Sequence, residues 1–180
     1  MKKTLLSLAI ASLAAGQSVC AAVEKVYNEP DSVYIFSYAH PEDEGRSGLK
    51  FAWSPDGDKW LSVSDGFAYL KCDFGRWGAE KRMIKPLLEK AEDGRWYCRW
   101  QLTPSGKVWG TSHSSDLLKW APQQYVNAEK PAVPRLVTAR QIVLDKDTLN
   151  GYMQKVPYAD IEQLIRFAEH KKFRDIQNNE

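Results

Sequence analysis

The side chains able to do chemistry are few and widely spaced. Asp73, Glu80 and Glu89 sit in or beside the loop "CDFGRWGAEKR" and the segment after it. Acid–base work by carboxylates needs two of them at a set separation, and nothing in this spacing selects a pair. His40, His113 and His170 are scattered without metal-ligand spacing, so neither a metal nor any other cofactor is expected. Cys72 and Cys98 suit either a single bridge or two separate thiols. A nucleophile elbow, a phosphate loop and an H-E-x-x-H helix are all missing from the sequence. What remains is aromatic. Trp77 is flanked by Arg76 and bracketed by Gly75 and Gly78, which carry no side chains to cover it. An indole so placed can stack on the C–H face of a sugar while Arg76, Glu80 and Arg82 meet its hydroxyls. Trp100 and Trp109 stand behind it as further platforms. The competing reading makes Trp77 a plug between sheets and the other two core or hairpin residues.

The elements that must position these residues are strands arranged as a repeat. "SPDGDKW" at 54–60 returns about sixty positions later as "SSDLLKW" at 114–120, with Ser54/Ser114, Asp56/Asp116, Lys59/Lys119 and Trp60/Trp120 at matching offsets. Before the first copy come "DSVYIFSY", a polar loop and "LKFAWS"; before the second come "DGRWYCRW", "QLTPSG" and "KVWGTS". Each unit reads as strand, turn, strand, turn, Trp, strand. "LSV" and "APQQYV" follow the two tryptophans, and further strands fit at "VEKVY" (23–27) and "MIKPLL" (83–88). Four antiparallel strands at this period predict two propeller-type blades. In each, the Asp closes the turn on backbone N–H groups and the Trp covers the outer strand. The shared residues are structural before they are functional.

The tail differs in kind. "RLVTARQIVLD" alternates and reads as a strand around 137–144, "KDTLNG" ends in the turn signal Asn150–Gly151, and "YMQKV" returns. Pro157 then opens a helix with Ile161, Leu164, Ile165 and Ala168 on one stripe and a basic end "HKKFR". Such a stripe must cover something: the open edge or face of the strand region, or else another copy or a partner chain. The predicted organisation is a leader over 1–21, a partial propeller of two four-stranded sheets over 22–126, and an appendage of hairpin plus helix over 127–180.

The leader is read from Lys2 and Lys3, the run "TLLSLAIASLAAG" and the small residues of "SVCAA", the layout of a cleavable secretory signal. It implies a secreted or periplasmic protein. Gln17, three before Cys20, argues against a lipid anchor. The whole chain carries 25 basic and 23 acidic residues, and loss of Lys2 and Lys3 leaves a formally neutral one. That balance offers neither nucleic acid nor an anionic membrane the basic face it needs. About 158 residues then remain, enough for one ordinary domain.

"GLKFAWSPDGDKW", "KRMIKPLLEKAEDGRWYCRW" and "GTSHSSDLLKWAPQQYV", in that order, resemble the opening of the family 43 glycoside hydrolases, five-bladed propellers that include arabinosidases and xylosidases. The resemblance covers about 33–126, more than half the chain. It implies a polysaccharide or oligosaccharide ligand near the propeller axis. Where that family has Arg-Asp-Pro, with the aspartate serving catalysis, this chain has Ile84, Lys85 and Pro86. The blade pattern also gives way near Val126 to "NAEKPAVPR", where a family member continues into further blades bearing the remaining acids. An ammonium group at Lys85 cannot replace one of two flanking carboxylates. The expectation is a protein that binds glycan through Trp77, Arg76, Lys85, Trp100 and Trp109 without cutting it. The alternatives are a hydrolase using other acids or another subunit, and a degenerate accessory protein whose tail docks on a partner.

Overall fold

The computed structural model describes residues 29–64, 66–77 and 80–177, with side chains as far as Lys171. The signal-like leader and the expected strand at 23–27 lie outside the described residues. Among the described residues nine strands form two antiparallel sheets: β1 (Ser32–Tyr38), β2 (Lys50–Ser54), β3 (Leu61–Ser62), β4 (Ile84–Lys90), β5 (Trp96–Gln101), β6 (Val108–Ser114), β7 (Gln124–Asn127), β8 (Val137–Leu144) and β9 (Asp147–Pro157). A 3-10 turn over Tyr158–Asp160 leads into the helix α1 (Glu162–Gln177). The second sheet, β4-β5-β6-β7, has the four strands expected. The first has five, in the order β3-β2-β1-β9-β8, because the C-terminal hairpin joins it along β1.

That junction has a clear physical cause. β1 is apolar on both faces, and a strand of that composition belongs in the middle of a sheet. Its long partner is β9, paired from Ser32↔Pro157 to Tyr38↔Gly151. The segment 127–180, expected as an appendage, is therefore continuous with the first sheet through its hairpin.

Asn150–Gly151 is not the hairpin's turn. The chain reverses at Asp145–Lys146, with Asp145 at φ 55, and β9 runs straight through the expected turn. The reason is packing: Ile142 pairs with Leu149, and Leu144, Ile142 and Leu149 are all buried together, so an earlier reversal keeps them on one face. Gly151 is required for close approach instead. A Cβ there would stand 2.2 Å from the Ser37 carbonyl oxygen and 2.6 Å from the Phe36 ring.

The two faces of β1 serve two cores. Val33 and Ile35 point into the main one, with Phe51, Leu88, Trp96, Cys98 and Trp100. Here β4 lies across β1 and β9, and polar groups stitch the layers: the buried Ser37 hydroxyl donates to the Pro86 carbonyl (3.0 Å), and the Lys90 N–H donates to Gln154 Oε1 (3.2 Å). Ile161, Leu164, Ile165 and Ala168 of the helical segment close the same core, so the predicted stripe covers this chain's own sheets. The opposite face carries Phe36, Tyr38, Ala52 and the hairpin leucines, with Trp60 laid over Phe36 at 5.5 Å.

The repeated turns take the same hydrogen bonds in both copies. Ser54 Oγ donates to Asp56 Oδ1 and accepts from the Gly57 N–H, while Asp56 Oδ1 also accepts from the Asp58 and Lys59 N–H groups. Ser114 and Asp116 repeat the pattern on Leu117, Leu118 and Lys119. Cys72 and Cys98 are separate buried thiols. Burial pushes the Cys98 thiol far up, which leaves it an inert core residue.

Candidate functional site

The residues singled out in the sequence separate into three places. Lys85 is the informative one. Ile84 pairs with Gln101, but the next register pair of β4 is Leu87↔Arg99, so Lys85 and Pro86 form a bulge. Lys85 sits at φ 50, in the left-handed region that a side chain disfavours and that precedes proline badly. Holding it there costs about 1–3 kcal/mol of local strain. The bulge is pinned from below by the Ser37–Pro86 hydrogen bond and leaves the Lys85 side chain exposed.

Lys85 and Asn150 line two adjoining cavities that together make a groove. The larger, about 590 Å³, is completed by Lys130, Arg140, Gln141 and Tyr152. The smaller, about 320 Å³, is walled by His40, Pro41, Met83 and Pro104, with Glu44 and Arg82 at its side. Glu44 is engaged by Arg46 at 3.0 Å and Arg82 at 2.9 Å. Arg140 lies 3.8 Å from Asp58, and the Gln141 amide donates to Asn150 Oδ1 at 3.2 Å. Burial raises the half-buried Tyr152 phenol above its ordinary value. Among the described residues, the ammonium groups of Lys85 and Lys130 have no ion pair or hydrogen bond.

Trp77 occupies a different place. It is 69% exposed, and Glu80 closes its loop by accepting from the Arg76 N–H at 3.1 Å and the Trp77 N–H at 3.3 Å. Neither Trp77 nor Arg76 lines the groove at Lys85. The loop is tied to β7 by a polar cluster, in which the Tyr125 hydroxyl stands 2.5 Å from both Asp73 Oδ1 and Gln123 Oε1 and the Gln123 amide donates to the Lys71 carbonyl at 2.7 Å. Burial first, and then the Asp73 carboxylate, push the Tyr125 phenol far up.

Trp100 and Trp109, expected as sugar platforms, are both buried. Trp100 is fully buried, with Tyr125 edge-on at 6.1 Å and no room for a side chain at Gly110, where a Cβ would lie 2.2 Å from the indole. Trp109 is 5% exposed and its indole N–H donates to the Gly106 carbonyl at 2.7 Å, which holds the β5–β6 hairpin. Both satisfy the structural alternative.

The three acids are also apart. Asp73 is held by Tyr125, Glu80 by its own loop, and Glu89 by an ion pair to Arg99 on the outer side of the second sheet. None of them lines the groove. Of the residues expected to meet a ligand, Lys85 and Arg82 line the groove, and Lys130, Arg140, Gln141, Asn150 and Tyr152 line it without having been singled out for that. Their segment gave no chemical signal, because it reads as strand and linker. No protein-family model, curated protein or solved structure matches this chain.

Proposed function

We propose that this is a secreted carbohydrate-associated protein, built from two propeller-like sheets related to the opening of the family 43 glycoside hydrolases, that holds glycan without hydrolysing it. The observation that carries the reading is the groove at Lys85. A strained backbone presents an exposed side chain into a cleft lined by amide, phenol, imidazole and cationic groups. Those are the partners that sugar hydroxyls use, in a concavity wide enough for more than one ring. Among its described residues the cleft lacks the pair of free carboxylates that glycoside hydrolysis requires: the one acid among them, Glu44, is bound by two arginines. Trp77, exposed on a loop fastened to β7, is a second contact for an extended chain.

The test is a glycan-binding screen of the chain from Ala22 to Glu180, run beside an assay on aryl arabinofuranosides and xylosides. Retention of a glycan with no aryl release above buffer is the expected result. Turnover that disappears on changing Asp73, Glu80 or Glu89 would make the protein a hydrolase instead.

A further inference from the structure

Resting on that reading, we infer that the groove selects an anionic polysaccharide, one whose sugar rings carry carboxylate or sulfate groups, and that Lys85, Lys130 and Arg140 read those groups. Among the described residues lining the larger cavity none is acidic, while three are cationic. Charges of one sign gathered in a concavity repel each other and raise the local potential, an arrangement relieved by a ligand of the opposite sign. Arg140 has a weak partner in Asp58 at 3.8 Å. Lys85 and Lys130 have none among the described residues, so their ammonium groups are free to bind.

The backbone adds an independent argument. At φ 50 glycine is the unstrained residue, yet the position holds lysine, whose long side chain the bulge sends into the cavity. The polar neighbours complete the fit. Gln141, Asn150 and Tyr152, which line the same cavity, bring donors and acceptors for ring hydroxyls. An acid group met by one lysine gains a charge-assisted hydrogen bond, and repetition of acid groups along a polymer lets Lys85 and Lys130 each take one.

The experiment titrates three probes of equal length into the chain from Ala22 to Glu180: a galacturonate hexasaccharide, a heparin-derived hexasaccharide and cellohexaose. At least one charged probe is expected to bind more tightly than cellohexaose, with affinity falling as salt rises. Which of the two prevails identifies carboxylate or sulfate. Lys130→Ala and Lys85→Gly should each weaken the charged probe about tenfold, the loss of one hydrogen bond between charged groups. Lys85→Gly suits the left-handed backbone, so weaker binding by this variant, with the parent's melting temperature kept, reports the lost ammonium group. If cellohexaose binds as tightly as either charged probe and both variants leave affinity unchanged, the charge reading is overturned while glycan binding stands. If no saccharide in the wider screen binds, the proposed function itself falls, and this inference with it.

Discussion

The turn at 54–60 and the turn at 114–120 share four Ser and Asp hydrogen bonds and differ in what packs around them. At the position that must take positive φ, the first has Gly57 (φ 85) and the second has Leu117 (φ 63). Gly57 lies against the Tyr34 ring, 3.3 Å from where a Cβ would be. Leu117 is completely buried in the main core. The Ser and Asp side chains impose the backbone in both copies, and the cost of a non-glycine residue there is offset only where its side chain finds a core to fill. The tryptophans diverge likewise. Trp60 lies over Phe36 on the smaller core, whereas Trp120 is set against the main core with its indole N–H on the Leu117 carbonyl at 3.2 Å.

The sharpest way to break this comparison is at its odd position. Leu117→Ala should destabilise by about 3–4 kcal/mol in a denaturant titration, since it empties buried volume and keeps the strained φ. Gly57→Ala should cost less, about 1–2 kcal/mol, from backbone strain and from the 3.3 Å approach of its Cβ to the Tyr34 ring. Equal losses would mean that burial does not compensate the Leu117 backbone.

The tryptophans come next. Both are partly buried, so each →Ala change falls below the full value for a buried indole: about 3 kcal/mol for Trp120 and about 2 kcal/mol for Trp60. Thermal melting of the two variants, run side by side, checks the order. A variant that keeps the parent melting temperature would remove its tryptophan from the structural account.

The smallest effect concerns acid. N–H groups of Lys59 and Asp58, with the Ser54 hydroxyl, lower the Asp56 carboxyl to about 2. At Asp116 burial pushes upward, but the Lys119, Leu118 and Ser114 hydrogen bonds outweigh it and the carboxyl is again lowered. A carboxylate depressed in the folded state stabilises the fold above its ordinary value of about 3.9 and loses that contribution as pH falls toward the folded value. Asp56→Asn should therefore flatten the decline in stability between about pH 4 and pH 2, measured against the parent chain. The same acid limb in parent and variant would show that the turn does not depend on the charge of Asp56.

The turns were legible because their bonds are local. Ser54, Asp56 and their targets lie within five positions, so the order of residue types carries nearly all the geometry. The second sheet was legible for a similar reason: its strands follow one another through short connections, each marked by Gly, Pro or Ser. Asn150–Gly151 was misread because a close-approach glycine and a turn glycine look alike in sequence, and only β1 lying alongside tells them apart. Trp100 and Trp109 were open to two readings for the same reason, since an indole's exposure depends on what the other strands place over it.

By itself the sequence determined the strand-rich composition, the paired turns and the apolar stripe of the C-terminal helix, all of which rest on periodicity and on bonds between near neighbours. Tertiary structure decided that β9 completes the first sheet against β1, that the helix closes the core between the sheets, and that Lys85 on β4 shares a groove with Lys130, Arg140 and Asn150. Those outcomes join residues 45 or more positions apart. Which long-range pairing wins depends on the total apolar surface that each arrangement buries, a property of the whole assembly that no single segment encodes.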